Sequence, residues 1–523
     1  MAGKPIFFDP TGRRGRLLVR LAWAMGVLSG VILTLFVVTL IIVNRPPPAE
    51  SSEPHPSIRC AWAPTCSAAH SLTVTTAADP EALRNAARLA EELREKERGL
   101  RVQRPAGEGQ RRSVPASLAI PDGRALSVGF YVDWDDNSYP ALKRALPHLD
   151  WVVPGWLSLA GSNMDLRISV DDRVLSTIQD TKPNVAILPM IQNAVEGEWD
   201  GEGLAKLLAD PTARAARIQQ IVDFLGQYKL QGITIDFEDV PPSAQKNLEA
   251  FLTELNVAFA AHDYAIVLAV PFDDDNWPYA TYADLVDFML LMGYDEHWEE
   301  GTPGSIASQS WFEDTLDKRM QSLDPAHTII AIGSYGYDWV QGDKASDLSF
   351  EEAVLSAKDS EAEITFDPET SNPHFSFIED DGKRHEVWFL DGVTAFNEIH
   401  AADAYRPAGY AVWRLGSEDP TIWSVLQQNY GVQTPGALHR IGMSEDIDFE
   451  GEGELLRVGD APAEGARTFE VDGDTGQIVD EKYSAVPTPF VIQRSGDLPG
   501  KIALTFDDGP DPDWTPKILD VLK

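Results

Sequence analysis

Eight short apolar runs separated by helical patterns constrain this chain more than any other feature. Beginning around Leu126 they read ALSVGFYV, WVVPGWLSL, NVAILPM, GITIDFE, AIVLAVP, VDFMLLMGY, TIIAIGSY and GYAVWRL. Amphipathic helices fall between several of them: Asp210-Pro211 opens TARAARIQQIVDFLGQY, and Ser243 opens AQKNLEAFLTELNVAFA. Eight strand-helix repeats favour an α/β fold of the (β/α)8 TIM-barrel type over an open doubly wound sheet. The interval from Asp338 to Glu386, between the seventh and eighth runs, is too long for a simple connection and carries EITF and HFSFI. It predicts a small α+β insertion walling the barrel mouth.

Charge and composition exclude some functions. Lys and Arg number 43 against 82 Asp and Glu, a formal net charge of −39. Nucleic acid is not an expected partner, because binding it depends on neutralising phosphates with Lys and Arg. The 14 Trp, 13 Tyr and 21 Phe argue for a packed core rather than a disordered polymer. With only Cys60 and Cys66 there is no disulfide scaffold and no multi-cysteine zinc module. One short-range bridge between them, or two unpaired thiols, remains open.

The N-terminal part predicts a membrane anchor. Residues 21–43 carry no charge and are long enough as a helix to cross a roughly 30 Å hydrocarbon core. Lys4, Arg13, Arg14, Arg16 and Arg20 precede the run, which places residues 1–20 in the cytoplasm and the rest outside. The absence of a small-x-small site argues against a cleaved signal peptide. The expected localisation is the bacterial inner (cell) membrane, single-pass, with a periplasmic or extracellular C-terminal region. Residues 44–123 read as a stalk, rich in Pro, Ser, Ala and Thr over 44–78 and followed by one helix opened by Asp79-Pro80. The barrel is expected over 124–432, an acidic linker and β-rich spacer over 433–498, and a further segment over 499–523.

The fourth run carries the chemistry. In Gly232-Ile233-Thr234-Ile235-Asp236-Phe237-Glu238 a period of two puts Thr234, Asp236 and Glu238 on one face. That face looks into the barrel, and the two acids lie near the carboxyl end of the strand, where barrel active sites are built. A buried ion pair or a solvated strand end would be the structural alternative, but the strand supplies no basic partner. Burying unpaired acids costs several kcal/mol unless a pKa shift or a ligand compensates. Crowding two acids raises one pKa, which suits a general acid near neutral pH. The aromatics Tyr131, Trp134, Trp156, Tyr294, Tyr337, Trp339 and Trp413 fall at or just after strand ends, where their rings would line a cleft, with core packing as the alternative; Trp151 and Trp388 read as core.

GITIDFE resembles the DGxDxDxE signature of glycoside hydrolase family 18, the chitinase-like barrels, most closely the bacterial cell-wall and spore-germination branch with its DFE ending. Met292-Gly293-Tyr294-Asp295 resembles that family's MxYD motif, Ser334-Tyr335-Gly336-Tyr337-Asp338-Trp339 its YGYDW segment, and Ala411-Val412-Trp413-Arg414 its eighth-strand tryptophan. The resemblance implies substrate-assisted retaining hydrolysis of β-1,4-linked N-acetylglucosamine polysaccharide, without a cofactor in the barrel. Glu238 would protonate the glycosidic oxygen, and Asp236 would orient the acetamido N–H and stabilise the oxazolinium cation. Tyr294 would donate to the acetamido oxygen, and Trp413 would floor the pocket. Met292, Asp295, Tyr131 and Tyr337 complete the expected substrate-binding set. Gln231 and Thr234 stand where many active relatives have aspartates, which leaves open a non-hydrolytic glycan-binding module, or a structural stalk with a sterile barrel.

Thr505-Phe506-Asp507-Asp508-Gly509-Pro510 is similar to the opening motif of the polysaccharide deacetylases of NodB homology; an ordinary Asp-Gly turn is the simpler alternative. The resemblance implies Asp507 as general base and Asp508 as ligand of a divalent metal, usually zinc. No His-x-x-x-His pair follows before Lys523, so the metal site is not expected to close within these residues.

Overall fold

The computed structural model describes residues 114–523 apart from 116, 117, 119, 122, 196, 341–343, 380–381, 432, 445–446, 497–499, 502–503 and 508. Each apolar run becomes a barrel strand: β1 (Leu126–Tyr131), β2 (Trp151–Pro154, continued by Leu157–Ala160), β3 (Ala186–Ile187, continued by Met190–Gln192) and β4 (Gly232–Asp236). They are followed by β5 (Ala265–Pro271), β6 (Phe288–Met292), β7 (Thr328–Gly333) and β8 (Gly409–Trp413). Neighbours pair in parallel all the way round, and β8 pairs with both β7 and β1, which closes the barrel.

The two faces of each strand separate as a period of two demands. Val128, Phe130, Val267, Leu290 and Ala411 form the inner core, whereas Ile233, Ile235 and Phe237 of the β4 segment pack outward with helix residues such as Leu248 and Leu252. Gly232 opens β4 because a side chain there has no room: a Cβ would sit 2.4 Å from the Ala265 carbonyl oxygen of β5. The Asp210 carboxylate caps helix Pro211–Tyr228 by accepting from the Thr212 and Ala213 N–H groups. Ser243 does not cap its helix; a 3-10 turn over Pro242–Ala244 leads into Gln245–Ala260 instead.

An antiparallel sheet is inserted between β7 and β8. Its strands run in the order Ser346–Leu348, Gly336–Val340, Arg384–Phe389, Pro373–Ile378, Thr365–Phe366. Helix Phe350–Asp359 lays Phe350, Ala353, Val354 and Ala357 on Phe375, Val387 and Phe389 of that sheet.

Part of 433–498 is bound to the barrel unit rather than spacing it from anything. Strands Gly465–Val471 and Ile478–Ala485 form a hairpin whose Arg467 side chain is wholly buried, 3.0 Å from Asp391, 2.7 Å from Asp419 and 3.3 Å from Glu481. Asn397 of helix Gly392–Ala402 exchanges two hydrogen bonds of 2.8 Å with the main chain of Ile478. Three carboxylates around one guanidinium make a junction that acidic composition alone reads as linker.

The expected membrane anchoring is corrected. Among the described residues no helix is long and apolar enough to cross a membrane. The run 21–43, the basic segment before it, Cys60, Cys66 and the helix opened by Asp79 lie outside the described residues. The described residues therefore support neither a single-span architecture nor a membrane localisation. In the last segment, helix Thr515–Leu522 buries no residue and Asp507 is exposed; Asp508 lies outside the described residues.

Candidate active site

At the carboxyl ends of the strands lies a cavity of about 720 Å³. Asp236, Glu238, Met292, Tyr294, Asp295, Tyr337 and Trp413 all line it. These residues come from three barrel strands or the turns after them and from the inserted sheet, so only the closed barrel brings them together.

Asp236 ends β4 with 5% of its surface exposed. Its Oδ2 accepts a 2.8 Å hydrogen bond from Gln192 Nε2, while its buried Oδ1 has no partner. Burial pushes this carboxyl up to about 6, and the Gln192 bond offsets only part of the effect. Thr234, one inward step below, is fully buried and donates its hydroxyl to the Leu188 carbonyl at 3.3 Å. Gln231 faces elsewhere: its Oε1 accepts from the Ile187 N–H at 2.8 Å at the start of β3.

Glu238 lies just past the strand and is half-buried. Its carboxyl is held well above the usual range, first by burial, then by the nearby charges of Asp236, Asp295 and Asp239. Its backbone is gripped by Asn193, which accepts from the Glu238 N–H and donates to the Glu238 carbonyl, both at 2.9 Å.

Burial and the neighbouring Asp236 charge hold the Tyr294 hydroxyl far above its ordinary value, so it stays a donor. Its ring meets Tyr335 edge-on at 5.9 Å. Asp295, in the left-handed region with φ 64°, accepts from Tyr335 at 2.5 Å and Tyr337 at 3.1 Å. Trp413, the last residue of β8, is half-buried and packs edge-on against Phe130 at 5.2 Å.

Tyr131 is not part of this group. It is 2% exposed, packs in the outer core and donates to Asp171 at 2.9 Å, because the residue of β1 that faces the cavity is its neighbour Phe130. Trp156 is likewise buried in the outer core, Trp134 is exposed away from the cavity lining, and Trp339 packs in the inserted sheet with Tyr337. Trp151 and Trp388 are buried, as core residues should be. The composition of the run signalled none of Gln192, Asn193, Trp199, Trp298 or Lys344, although all but Asn193 line the cavity. Among the described residues no group of three or more His, Cys, Asp or Glu side chains could hold a metal, and exposed Asp507 belongs to no such group.

Comparison with known proteins identifies the family and the fold. The sequence profile of the glycosyl hydrolases family 18 matches residues 127–418. The chain is 27% identical over 242 residues to the uncharacterized glycosylase YvbX of Bacillus subtilis, covering 44% of this chain and 70% of that protein. It is 24% identical over 269 residues to the cortical fragment-lytic enzyme of Bacillus anthracis, covering 49% of this chain and 63% of that one. The fold matches a chitinase from Chromobacterium violaceum with a TM-score of 0.54 at 21% identity, over 59% of this chain and all of that one. With more than half of its length matched and the motif residues gathered at one barrel mouth, the chain belongs to the glycosyl hydrolases family 18.

Proposed function

We propose that the barrel hydrolyses β-1,4-linked N-acetylglucosamine polysaccharide with retention of configuration, the substrate's own acetamido oxygen acting as nucleophile. Glu238, kept protonated by burial and by neighbouring acids, donates its proton to the glycosidic oxygen and afterwards takes one from water. Asp236 accepts the acetamido N–H on the Oδ1 that the protein leaves unsatisfied and balances the positive charge of the oxazolinium ion. Tyr294 donates to the acetamido oxygen, and Trp413 offers its ring to the sugar. Met292, Asp295 and Tyr337 shape the wall. No cofactor takes part in these steps.

The observation that carries this reading is the orphaned, buried Oδ1 of Asp236 beside Glu238 in one cavity with Tyr294 and Trp413. A buried acceptor with no partner costs about 1–3 kcal/mol, which a ligand N–H would recover. The relatives, a cortical fragment-lytic enzyme and a chitinase, support an amino-sugar glycan as substrate. Proton NMR of the first product released from chitohexaose tests the mechanism. A nascent β-anomer is expected, and an α-anomer would exclude substrate assistance.

Thr234 supports a second reading, glycan binding without turnover, because a hydroxyl tied to Leu188 stands below Asp236 where a second carboxylate would help it move. Binding of chitohexaose with no product would establish that reading. For 499–523 the deacetylase resemblance stays a proposal resting on Thr505–Pro510, with Asp507 as base and Asp508 as zinc ligand. The described residues there form no group of His, Cys, Asp or Glu side chains that could hold a metal.

A further inference from the structure

We infer that the barrel is selective for partly de-N-acetylated glycans, in which free, protonated amines flank the acetylated sugar that reacts. The inference rests on the hydrolase reading above and names its substrate class more closely.

The lining of the cavity is unusually one-sided. Outside the Asp236–Glu238 pair it carries the carboxylates of Glu198, Asp239, Asp273, Asp295, Glu299 and Glu300, and a single ammonium, Lys344. That ammonium is already engaged, 2.8 Å from Glu299 and 3.8 Å from Glu300. Asp273 leans toward Lys318 and Arg319 at 3.9 and 3.6 Å, and among the described residues Glu198 and Asp239 form no direct ion pair. Both are exposed at its mouth. Aromatic faces of Trp199 and Trp298 lie in the same lining, so the acids flank surfaces on which a sugar ring can rest.

The ligand of this cleft is marked independently of the acids around its mouth. The unpartnered Oδ1 of Asp236, in a residue 95% buried by its 5% exposure, faces the same cavity and asks for an N–H donor. At the reacting position that donor is an acetamido N–H, since the acetamido oxygen of the same group is the nucleophile and is released again when water opens the oxazolinium ion. At the flanking positions the outer carboxylates suit an ammonium group. A cleft lined by one sign of charge raises the local concentration and association rate of the opposite charge by roughly 10–10³. The same field opposes glycans that carry carboxylates at the flanking sugars.

The test compares chitohexaose with partly de-N-acetylated chitooligosaccharides of the same length on the full chain, at two salt concentrations. The Debye length falls from roughly 30 Å at 0.01 M to roughly 10 Å at 0.1 M salt. At the lower salt kcat/KM for the amine-bearing substrate should exceed that for chitohexaose by about tenfold, within the range that electrostatic steering supplies. The ratio should fall several-fold at the higher salt. The double variant Glu198→Gln, Asp239→Asn, which removes the two acids of the cleft that form no direct ion pair among the described residues, should lower the ratio at low salt toward one. A ratio at or below one in the unmodified protein, or one that salt does not change, would overturn the inference while the hydrolase reading stands. Failure to cleave either substrate would remove the hydrolase reading and this inference with it.

Discussion

Asn193 holds Glu238 from both sides: its Oδ1 accepts from the Glu238 N–H and its Nδ2 donates to the Glu238 carbonyl, each at 2.9 Å. Asn193 is fully buried directly after β3, so this two-way grip ties the residue proposed as the acid to a neighbouring strand. Asn193→Ala should lower kcat on chitohexaose by roughly 10–100-fold, since a misplacement of about 1 Å costs about that much. KM should change little, because Asn193 does not line the cavity. Steady-state kinetics together with a urea melt separates the two; a loss of folding stability with kcat intact would contradict the positioning role.

Asp236 should cost the protein stability at neutral pH. Its folded pKa of about 6 lies above the ordinary ~3.9, so folding favours the protonated form. Its contribution is most favourable below about pH 4 and is lost as the pH rises through about 6. Asp236→Asn, which stays neutral, should therefore be more stable than the unmodified chain at pH 8 by of order 2–3 kcal/mol and nearly equal at pH 4. Urea denaturation at the two pH values measures the gap. A gap of the same size at both would show that burial does not raise this group.

The alkaline limb of activity should follow Glu238, which must be protonated to act. Asp239 is one of the charges that push its pKa up. Asp239→Asn should move that limb of the kcat/KM profile to lower pH by up to about one unit. The substitution suits the backbone, because φ is 53° at this position and Asn tolerates the left-handed region. A shift to higher pH would contradict the assignment.

Much of this architecture is legible in the residues, for reasons that differ from part to part. All eight apolar runs are barrel strands because each is bounded by helical periodicity, and Asp236 and Glu238 share the inner face because GITIDFE alternates apolar with polar. ALSVGFYV does not alternate in that way. Its two faces are both apolar, so nothing in it says that Phe130 rather than Tyr131 faces inward. Gln192 and Asn193 follow a run read as ending at Met190; extending β3 by two residues reaches the first polar groups at its carboxyl end. Trp199 lies in a two-residue strand paired with Ala194–Val195 after β3, and Trp298 and Lys344 lie in loops; their paths are set by tertiary packing and leave no periodic trace. The acidity of 433–498 conceals Arg467, which is explained only by its distant partners Asp391 and Asp419.

Removing Arg467 should therefore destabilise the whole unit rather than free a spacer. Arg467→Ala would leave Asp391, Asp419 and Glu481 buried without their cation. A cost of about 3–5 kcal/mol is expected, as for other buried pairs broken on one side. The urea midpoint reports it; a change below about 1 kcal/mol would show that the hairpin is only loosely attached.

The most direct test of the proposed chemistry is single-turnover cleavage of chitohexaose by the full chain and by Glu238→Gln, with binding followed in parallel by tryptophan fluorescence. Glu238→Gln should still bind the oligosaccharide and cleave it at least about 10²-fold more slowly, the lower range expected for loss of a general acid. Cleavage at the unmodified rate by Glu238→Gln would contradict the assignment of the proton donor.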